Sequence, residues 1–585
     1  MKYSSIPSAQ TVILQCKEKG IKNIVISPGS RNAPLIIGFS EDPFFNCYSI
    51  VDERCAAFFA LGIAQQQQQA VAVVCTSGSA LLNYYPAVAE AFYSDVPLVV
   101  ISADRPSYKI DIGDGQTIRQ DHVFERHIGY SANLKQDISH ATQTIGKFAE
   151  DLIDETISIQ KNQQDIQAYN DQELHKALQL TLSERTPVHI NVPMEEPLYD
   201  KLSSPSIAPA LFPEDTTPED MPVISNEFVD IWNKSKKKMV LVGANYPNTI
   251  SQHFLDVLGS DTSVLVFTET TSNLHHPNFF PSIDGIIAPL EKSNNTQQLF
   301  SELQPDVLLT FGGLIVSKKI KSFLRKFKPE HHWHVGNKKA NDTFFCLSHH
   351  FKTDTNRFFE GFLARTITTD SNYYKTWASI RDAYVLKRAK YLDTIPFTDM
   401  LAFHHMLARI PRGYQLQLAN SSAVRYTQLF DLDPSLRVFC NRGTSGIDGS
   451  TSTAVGASVH SESPTIFITG DLSFYYDSNA LWNQYIRPDF RIILINNNGG
   501  GIFRILPGKE ETQNFESFFE TTHQYSAQDL CKMHGFDYNR VGDTNGLKDA
   551  LSHFYEKSER PKLLEIDTPR LINDKILLDY FDFLT

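Results

Sequence analysis

The sequence has few cysteines, and none of them are paired at a metal-binding or redox spacing. Scattered cysteines, odd in number and without a CxxC pair, argue against a disulfide framework and against a zinc site. The sequence has histidine pairs at 275–276, 349–350 and 404–405 and a run at 331–334, but no HExxH motif. These histidines are therefore predicted to be structural or to lie at the surface. The seven cysteines are Cys16, Cys47, Cys55, Cys75, Cys346, Cys440 and Cys531.

Long apolar runs and a targeting segment are missing as well. Apolar runs such as VPLVVI at 96–101 are too short to span a bilayer. The first ten residues, MKYSSIPSAQ, contain no apolar region of the kind that a secretory signal requires. Both absences predict a soluble cytoplasmic protein without a membrane attachment.

Positive charge is sparse. The chain has 54 Lys and Arg against 67 Asp and Glu, a net charge of −13, and no basic stripe with interleaved aromatic residues. This balance argues against nucleic acid as a partner. An acidic chain still binds small anions where a few Arg and Lys converge, because such a site depends on local charge.

Alternating strand and helix patterns are present along most of the 585 residues. They predict three doubly wound α/β domains, with parallel sheets between helices, at 1–198, 223–395 and 396–585. The Pro-, Ser- and acid-rich segment 199–222 is predicted to be a linker. The segment 131–186 is expected to add surface helices, and the strand 188–193 is expected to close the first domain.

The middle region is predicted to have strands at 239–244, 263–269 and 307–313. No GxGxxG follows any of them, so the region lacks a dinucleotide-binding fingerprint. The polar segment 351–395 is predicted to be mostly helical and to connect to the third region.

The richest stretch is 466–503, IFITGDLSFYYDSNALWNQYIRPDFRIILINNNGGGIF. We predict a strand, a Gly-Asp turn, a helix around 478–485, and a second strand ending in three asparagines. Ligands of open α/β sheets bind at the carboxyl ends of strands, where both polar clusters would meet. Carboxylate and amide oxygens suit a hard cation, and the glycines let a diphosphate approach the backbone closely.

This motif, GD followed about 25 residues later by NN, resembles the diphosphate and Mg²⁺ motif of thiamine-diphosphate (ThDP) enzymes. The variant GDLS…NNNGGGIF is similar to that of the branch that acts in menaquinone biosynthesis. The resemblance implies an N-terminal domain for the aminopyrimidine (Pyr), a central domain and a C-terminal diphosphate domain (PP). It also implies ThDP as cofactor with Mg²⁺ or Mn²⁺ as the metal.

The resemblance assigns cofactor roles residue by residue. Glu53, in the DER motif, would protonate the aminopyrimidine, although an acid at a helix N-terminus also suits the macrodipole. The metal ligands would be Asp471, Asn497 and Gly499, with Asn498 left open because three asparagines blur the register. Ile447 would be the apolar wedge beneath the thiazolium. Further cofactor contacts are implied at Ser421, Ser445, Gly446, Gly470, Leu472, Ser473 and Ile502.

The resemblance also implies two dicarboxylate substrates, 2-oxoglutarate and isochorismate. Arginine forks and lysines suit carboxylates. Lys319 departs from the arginine implied at its position, which keeps the charge and loses the bidentate geometry. Gln116 is implied as a catalytic residue as well as a substrate contact. The implied substrate residues are Ser30, Arg31, Arg105, Gln116, Lys318, Lys319, Arg425, Arg442, Ile502, Phe503 and Leu506.

The implied activity is that of a transferase that decarboxylates 2-oxoglutarate and adds the succinyl carbanion to isochorismate in 1,4 fashion. Because the Pyr and PP halves of this superfamily's site come from different subunits, the resemblance implies a homodimer or homotetramer. One alternative is a carboligase of the acetolactate-synthase type acting on pyruvate. Another is a catalytically silent ThDP-fold protein that serves as a scaffold or regulator.

Overall fold

The computed structural model describes residues 2–210, 212–213, 223–505 and 512–585. Three parallel sheets dominate these ranges, two of six strands and one of five, together with a two-stranded antiparallel pair. Helices connect successive strands, as parallel pairing requires. The predicted α/β class is confirmed.

The first sheet has the order β3-β2-β4-β5-β7-β6. Its strand β6 lies outside β7, at one edge of the sheet. The segment 131–186 supplies this edge strand in addition to helices. The strands are β1 (Tyr3–Ser4), β2 (Asn23–Ile26), β3 (Asn46–Ser49), β4 (Val71–Cys75), β5 (Leu98–Asp104), β6 (Tyr130–Asn133), β7 (Val188–Pro193) and β8 (Lys201–Leu202). The helices are α1 (Pro7–Glu18), α2 (Ala33–Glu41), α3 (Glu53–Gln67), α4 (Ser79–Asn83), α5 (Tyr85–Ser94), α6 (Thr142–Phe148) and α7 (Ile159–Glu184).

The middle sheet has the order β10-β9-β11-β12-β13. Met239 and Leu241 belong to one buried cluster, whereas Val240 and Val242 belong to another. Because successive side chains of a strand point to opposite faces, apolar cores cover both sides of this sheet. The strands are β9 (Lys238–Val242), β10 (Val264–Phe267), β11 (Val307–Phe311), β12 (His331–Val335) and β13 (Leu347–Phe351). The helices are α8 (Asn226–Lys234), α9 (Gln252–Ser260), α10 (Ile283–Lys292), α11 (Thr296–Leu303), α12 (Lys318–Lys326), α13 (Thr355–Leu363) and α14 (Tyr373–Leu392).

Two strands of this sheet carry the histidine run and one of the histidine pairs. His332 and His334 both lie within hydrogen-bond distance of the Thr310 hydroxyl, and burial lowers the pKa of each to about 4. Across the described residues, no group of three or more His, Cys, Asp or Glu side chains is arranged to hold a metal ion.

The third sheet has the order β15-β14-β16-β17-β19-β18. Its strands are β14 (Gln415–Leu418), β15 (Arg437–Cys440), β16 (Thr465–Gly470), β17 (Arg491–Asn496), β18 (Asp537–Val541) and β19 (Lys562–Asp567). The helices are α15 (Asp399–Leu407), α16 (Ser422–Thr427), α17 (Ser450–Val459), α18 (Asp471–Tyr476), α19 (Gln513–Phe515), α20 (Gln528–His534), α21 (Thr544–Phe554) and α22 (Asn573–Leu584).

The predicted helix at 478–485 is wrong. The chain instead turns into α18 directly after β16 and then makes a short 3-10 turn at Ser478–Leu481. Asn483 explains the end of the helical run, because its side chain donates to the Ala480 carbonyl and accepts from the Tyr485 N–H. Such local side-chain hydrogen bonds compete with helix formation.

By their internal contacts, the residues form two compact units. The first contains Met1–Thr216, Gly443–Glu462 and Tyr476–Arg487, and the second contains the remaining segments. Within the first unit, α3 packs on α17 at very close range. A Cβ on Gly62 would lie 2.1 Å from the Thr453 carbonyl oxygen, and one on Gly456 would lie 2.0 Å from that of Phe59. Only glycine allows the two helices this approach.

Candidate active site

Two neighbouring strands of the third sheet end at the predicted diphosphate motif. In their parallel register Gly470 of β16 pairs with Ile495 of β17. Asp471 begins α18, is buried, and accepts the N–H of Gly499 at 2.9 Å and that of Leu472 at 2.7 Å. The loop after β17 is therefore tied to the carboxylate that follows β16, as the sequence predicts.

Two asparagines at the end of β17, Asn496 and Asn497, have different hydrogen-bond partners. Asn496 donates to the Glu565 carboxylate at 2.6 Å and to the Tyr525 carbonyl at 2.9 Å, so its amide belongs to the packing of this region. Asn497 donates through Nδ2 to Asp399 at 3.1 Å. Its Oδ1 atom is buried and has no hydrogen-bond partner within the described ranges. Of these two buried amides, that of Asn497 leaves an oxygen available.

Gly499 permits this arrangement. Its φ is +148°, and a Cβ would lie 2.7 Å from the Glu520 carbonyl oxygen, so a side chain is excluded. Glu520 in turn is buried between Arg504 and Arg570, and its carboxylate accepts hydrogen bonds from both. The glycine loop therefore rests on a buried ion-pair cluster.

Two residues near Asp471 were not predicted. The His523 Nε2 atom lies 3.2 Å from Asp471 Oδ2, and the ring of His523 stacks on Tyr525. Asp399 is fully buried, and burial raises its pKa to about 6, whereas hydrogen bonds from Thr568 and Asn497 lower it. As the first residue of a helix, Asp399 has a pattern typical of any helix N-terminus, so the sequence carries no signal for a role at this site.

The arrangement fits a hard divalent cation. Such ions take oxygen ligands from carboxylates, amides, backbone carbonyls and phosphates. The buried carboxylate of Asp471 and the unpartnered amide oxygen of Asn497 are donors of this class. A bound diphosphate would supply further oxygen ligands to such an ion.

The second unit contains a cavity of about 410 Å³ that gathers predicted substrate residues from separate parts of the chain. Lys318, Lys319, Arg425 and Ile502 all line it. Arg442 does not line it, and its guanidinium donates to Asn420 at 2.6 Å. The remaining lining residues are Asp284, Ala288, Glu291, Lys292, Ser322, Ser422, Tyr426, Leu429, Ile505, Leu577, Leu578 and Phe581.

Two of the three lysines that line the cavity, Lys318 and Lys319, begin α12, and buried acids fix the start of that helix. Glu269 accepts the N–H groups of Val316 and Ser317, each at 2.7 Å, and Ser317 caps α12 through the Ile320 N–H at 3.1 Å. Burial raises the pKa of Glu269 to about 7, and the two N–H donors lower it.

The charges within this cavity are balanced by acids that sequence reasoning missed. Ser317 donates to Asp284, and Lys319 forms an ion pair with Glu291. Burial lowers the pKa of Arg425, and the neighbouring Asp284 raises it. Because acidic as well as basic side chains line the cavity, its net positive charge is smaller than the count of basic residues indicates.

In the first unit, Glu53 is the first residue of α3. It is half-buried, and its Oε2 atom accepts a hydrogen bond from Asn83 at 3.4 Å. Asp52 caps the helix by accepting the Cys55 N–H at 3.1 Å. The predicted catalytic acid, Glu53, therefore lies at the start of a helix and close to β4. The pKa of the Cys75 thiol, in β4, is raised first by burial and then by the charge of Glu53.

The predicted arginines of the first unit lie close together. Arg31 is buried and donates to the Met194 carbonyl and to Glu196, both at 3.1 Å. Its pKa is lowered by burial and then by Arg105. Arg105 donates to Ser77 and to the Gly115 carbonyl, also at 3.1 Å.

Ser30 and Gln116 are both exposed. Gln116 has a φ of +57°, and its backbone lies against Gly78, where a Cβ would be 3.0 Å from the Gln116 carbonyl oxygen. The loop that carries Gln116 is thereby held at the carboxyl end of β4, while Ser30 follows β2. These two strands are neighbours in the sheet.

The predicted wedge loop also belongs to the first unit. Ser445 has a φ of +61°, and Ile447 is half-buried. The loop ends at Gly449, where a Cβ would lie 2.1 Å from the Phe58 ring of α3. Its start is held by Glu90 of α5, which accepts the Gly443 N–H at 2.6 Å and which no sequence motif singles out.

The remaining predicted residues belong to the second unit. Ser421 precedes α16 with a φ of +67°, and Ser473 is buried in α18. Phe503 lies in a 3-10 turn and packs on Phe519, with ring centroids 6.3 Å apart. Asn498 has a φ of +61° and is half-buried. Leu506 lies outside the described residues.

Two family models match the chain. The model for the thiamine pyrophosphate enzyme N-terminal TPP binding domain matches residues 8–128, and that for the C-terminal TPP binding domain matches residues 421–566. The first range contains Glu53 and the second contains Asp471. Lys318 and Lys319 lie between the two matched ranges.

Curated relatives match over the whole length. The protein named 2-succinyl-5-enolpyruvyl-6-hydroxy-3-cyclohexene-1-carboxylate synthase in Christiangramia forsetii is 53% identical over 585 residues, and the alignment covers 100% of both chains. The chain belongs to this synthase family of thiamine pyrophosphate enzymes. A synthase of the same name in Flavobacterium johnsoniae is 52% identical over 588 residues with the same coverage. The one in Porphyromonas gingivalis is 35% identical over 601 residues, covering 100% of this chain and 98% of that protein.

The similarity confirms the predicted family. Thiamine pyrophosphate, which is thiamine diphosphate under another name, is the cofactor for which the family's two domains are described. Within the described ranges, none of the helices of this synthase-family chain has the length and apolar character needed to cross a bilayer.

Proposed function

We propose that the chain is a ThDP- and Mg²⁺-dependent transferase that removes CO₂ from 2-oxoglutarate and joins the remaining succinyl unit to isochorismate by 1,4-addition. The product is 2-succinyl-5-enolpyruvyl-6-hydroxy-3-cyclohexene-1-carboxylate, an intermediate of menaquinone biosynthesis. The full-length relatives carry the name of the enzyme that makes this product.

One observation carries the proposal. The cavity that contains Lys318, Lys319 and Arg425 also contains Ile502, five residues after Asn497 at the predicted metal site. The cavity lining has four basic residues, Lys292, Lys318, Lys319 and Arg425, and two acids, Asp284 and Glu291, and this surplus of positive charge would suit a dicarboxylic 2-oxo acid. Pyruvate, with one carboxylate, would leave part of this charge without a partner.

The residues would act as follows. Asp471, Asn497 and the Gly499 carbonyl would hold Mg²⁺ or Mn²⁺, with Asn498 as the alternative amide. Glu53 would hold a proton at the aminopyrimidine. When bound, ThDP supplies an electron sink for decarboxylation. Further contacts to it are proposed at Ser421, Ser445, Gly446, Ile447, Gly470, Leu472, Ser473 and Ile502.

Substrate carboxylates would be bound by charge. Arg425 and the α12 lysines would orient them in the cavity of the second unit, and Arg31, Arg105, Ser30 and Gln116 would do so in the first. Oriented cations lower the barrier by positioning the reactants and by stabilising developing negative charge. Arg442, Phe503 and Leu506 belong to the same proposed substrate set.

The oligomeric state and location are part of the proposal. A homodimer, or a tetramer of two such dimers, would let Glu53 of one subunit serve a diphosphate held by the partner subunit, as the family resemblance implies. The division into Pyr, central and PP domains at 1–198, 223–395 and 396–585 with a linker at 199–222 is proposed on the same basis. The soluble, charged substrates support a cytoplasmic location.

The decisive experiment is an assay of the purified protein with ThDP, Mg²⁺, 2-oxoglutarate and isochorismate. We expect consumption of 2-oxoglutarate that depends on isochorismate. Turnover of pyruvate without that dependence would favour a carboligase of the acetolactate-synthase type. ThDP binding without turnover of any 2-oxo acid would favour a silent scaffold.

A further inference from the structure

We propose that Asp399 is a positioning residue that determines which end of the Asn497 amide faces the metal. The proposal rests on the proposed metal site and adds a residue that the family motif does not contain. Asp399 lies 98 positions before Asn497 and is 2% exposed. The two side chains meet through a hydrogen bond of 3.1 Å from Asn497 Nδ2 to Asp399 Oδ2.

Asp399 is itself held on two sides. The Thr568 hydroxyl donates to its Oδ1 atom at 2.5 Å, and its backbone N–H donates to Asn573 Oδ1 at 2.9 Å. Thr568 also donates its N–H to the Asn496 carbonyl at 3.0 Å, directly before Asn497 in the chain. The carboxylate therefore has a fixed position relative to the strand end that carries Asn497.

The chemistry of the pair fixes the amide orientation. An ionised carboxylate only accepts hydrogen bonds, whereas an amide has a donating nitrogen and an accepting oxygen. Asn497 must therefore present Nδ2 to Asp399 and Oδ1 to the other side. That oxygen is buried and has no hydrogen-bond partner among the described residues. A buried polar atom that makes no hydrogen bond carries a desolvation penalty.

A divalent cation removes the penalty, because it binds the amide oxygen and repels the amide nitrogen. Residues behind a metal ligand commonly orient it, and their loss weakens metal affinity about 10–100-fold. A purely structural buried acid would not explain why the amide oxygen is left unpaired. Asp399 is thus predicted to act on metal affinity through Asn497 without touching the ion.

The test measures Mn²⁺ affinity by electron paramagnetic resonance in the full-length protein with saturating ThDP, together with thermal unfolding. Asp399→Ala is expected to weaken Mn²⁺ binding about 10–100-fold. Asp399→Asn is expected to stay within about threefold, because its amide oxygen still accepts from Asn497 and its amide nitrogen can donate to Thr568. The comparison variant is Asn573→Ala, which removes the hydrogen bond to the backbone of Asp399 but keeps the carboxylate and its bond from Thr568, and it is expected to lose less Mn²⁺ affinity than Asp399→Ala.

A swapped pair keeps the proposal testable if Asp399→Ala does not fold. Asn497→Asp alone sets two carboxylates against each other and is expected to weaken Mn²⁺ binding. Adding Asp399→Asn gives the pair one amide that donates and one carboxylate that accepts. A carboxylate oxygen at position 497 then still faces the metal, so the double variant is expected to recover Mn²⁺ affinity. Recovery of this kind is not expected of residues that merely fill space.

The outcomes distinguish a failure of the Asp399 role from a failure of the proposed function. Wild-type Mn²⁺ affinity in Asp399→Ala, an equal loss in Asn573→Ala, or no recovery in the swapped pair would overturn the role of Asp399. If the wild-type protein with ThDP binds no Mn²⁺, the proposed function fails first. Metal binding by the wild-type protein combined with an unaffected Asp399→Ala variant leaves the proposed function standing and rejects this inference alone.

Discussion

The carboxylate of Glu90 accepts a hydrogen bond from the backbone N–H of Thr444 at 2.6 Å, across 354 positions of sequence. It also accepts the Thr444 hydroxyl at 2.9 Å, the Gly443 N–H at 2.6 Å and the Ser94 hydroxyl at 2.8 Å. Glu90 is 1% exposed, so these four donors satisfy a charge that burial would otherwise penalise. The loop that they hold contains Ile447, the predicted wedge.

Glu90→Gln should therefore lower both stability and cofactor affinity. An amide nitrogen would face backbone N–H donors, leaving buried donors unsatisfied at a cost of about 1–3 kcal/mol. We expect the free energy of unfolding to fall by this amount in chemical denaturation, and ThDP to bind less tightly in titration. Ser94→Ala removes one donor outside the loop and serves as the control. Wild-type ThDP affinity in Glu90→Gln would show that the loop is positioned by other contacts.

Gly456→Ala should disrupt the packing of α17 on α3. The added methyl group would lie 2.0 Å from the Phe59 carbonyl oxygen, which is backbone and cannot rotate away. Overpacking of this kind costs about 1–3 kcal/mol or more, so we expect a lower midpoint in thermal unfolding. Gly146→Ala is the control, because the nearest atom to its Cβ among the described residues would be Ile153 Cδ1 at 3.9 Å, and alanine favours the helix. Equal midpoints for the two variants would refute the close approach.

Glu269 should make stability depend on pH. Its pKa is raised from an ordinary value of 4.5 to about 7 by burial and by Asp284, and is lowered by the N–H donors and Arg442. Lys321 and Arg425 also interact with it electrostatically. Because the folded protein favours the protonated acid, its contribution to stability is complete below pH 4.5 and is lost as the pH rises through about 7.

The Glu269→Gln variant has no group that titrates at this position. Its free energy of unfolding, relative to that of the wild type, should therefore increase between pH 4.5 and 7. The expected improvement is about 1.4 kcal/mol for every tenfold difference in proton affinity between the folded and unfolded states. The measurement is the free energy of unfolding of both proteins at several pH values. A parallel profile for Glu269→Gln would contradict the raised pKa.

Arg425→Gln should raise the KM for the dicarboxylate substrates more than it lowers kcat. A charge-assisted hydrogen bond is worth about 1.5–3 kcal/mol, which corresponds to a loss of affinity of about 10–150-fold. Steady-state kinetics with each substrate varied in turn would measure it. Lys292→Gln is the matched control, because Lys292 lines the same cavity but pairs with Asp582 at 3.1 Å. The same KM for Arg425→Gln and wild type would remove Arg425 from the substrate set.

Glu53→Gln should keep ThDP bound while losing exchange of the cofactor's C2 proton. The amide retains the size of the acid but cannot share a proton with the aminopyrimidine. Hydrogen–deuterium exchange at C2, followed by NMR in the presence of the variant, measures this directly. An exchange rate equal to that of the wild type would exclude Glu53 from the mechanism.

Local sequence predicted the fold class and the meeting of Asp471 with the segment after β17. Both follow from the alternation of strands and helices and from the rule that parallel strands share a carboxyl edge. The predicted strand at 239–244 corresponds to β9 at Lys238–Val242, so strand positions were accurate to a few residues. The prediction of a helix at 478–485 was wrong because the side chain of Asn483 forms hydrogen bonds with the nearby backbone.

Contacts between distant segments could not be predicted from the sequence. Asp399 reads as an ordinary helix start and Glu90 as an ordinary acid within α5, and each acquires a role only through a partner far along the chain. The same holds for Glu269, whose carboxylate is used by a loop 47 positions later. A single sequence carries no record of such pairings, because they arise from tertiary packing.

The first compact unit is assembled from three separate stretches of chain, the last of which ends at Arg487. During synthesis, α3 therefore emerges from the ribosome long before α17, which is the helix that packs on its glycine face. The nascent N-terminal region must wait, with apolar surface uncovered, until most of the protein has been translated. A fragment that stops before Gly443 would keep that surface permanently, so the first sheet and its helices are expected to need a chaperone or to aggregate when expressed alone.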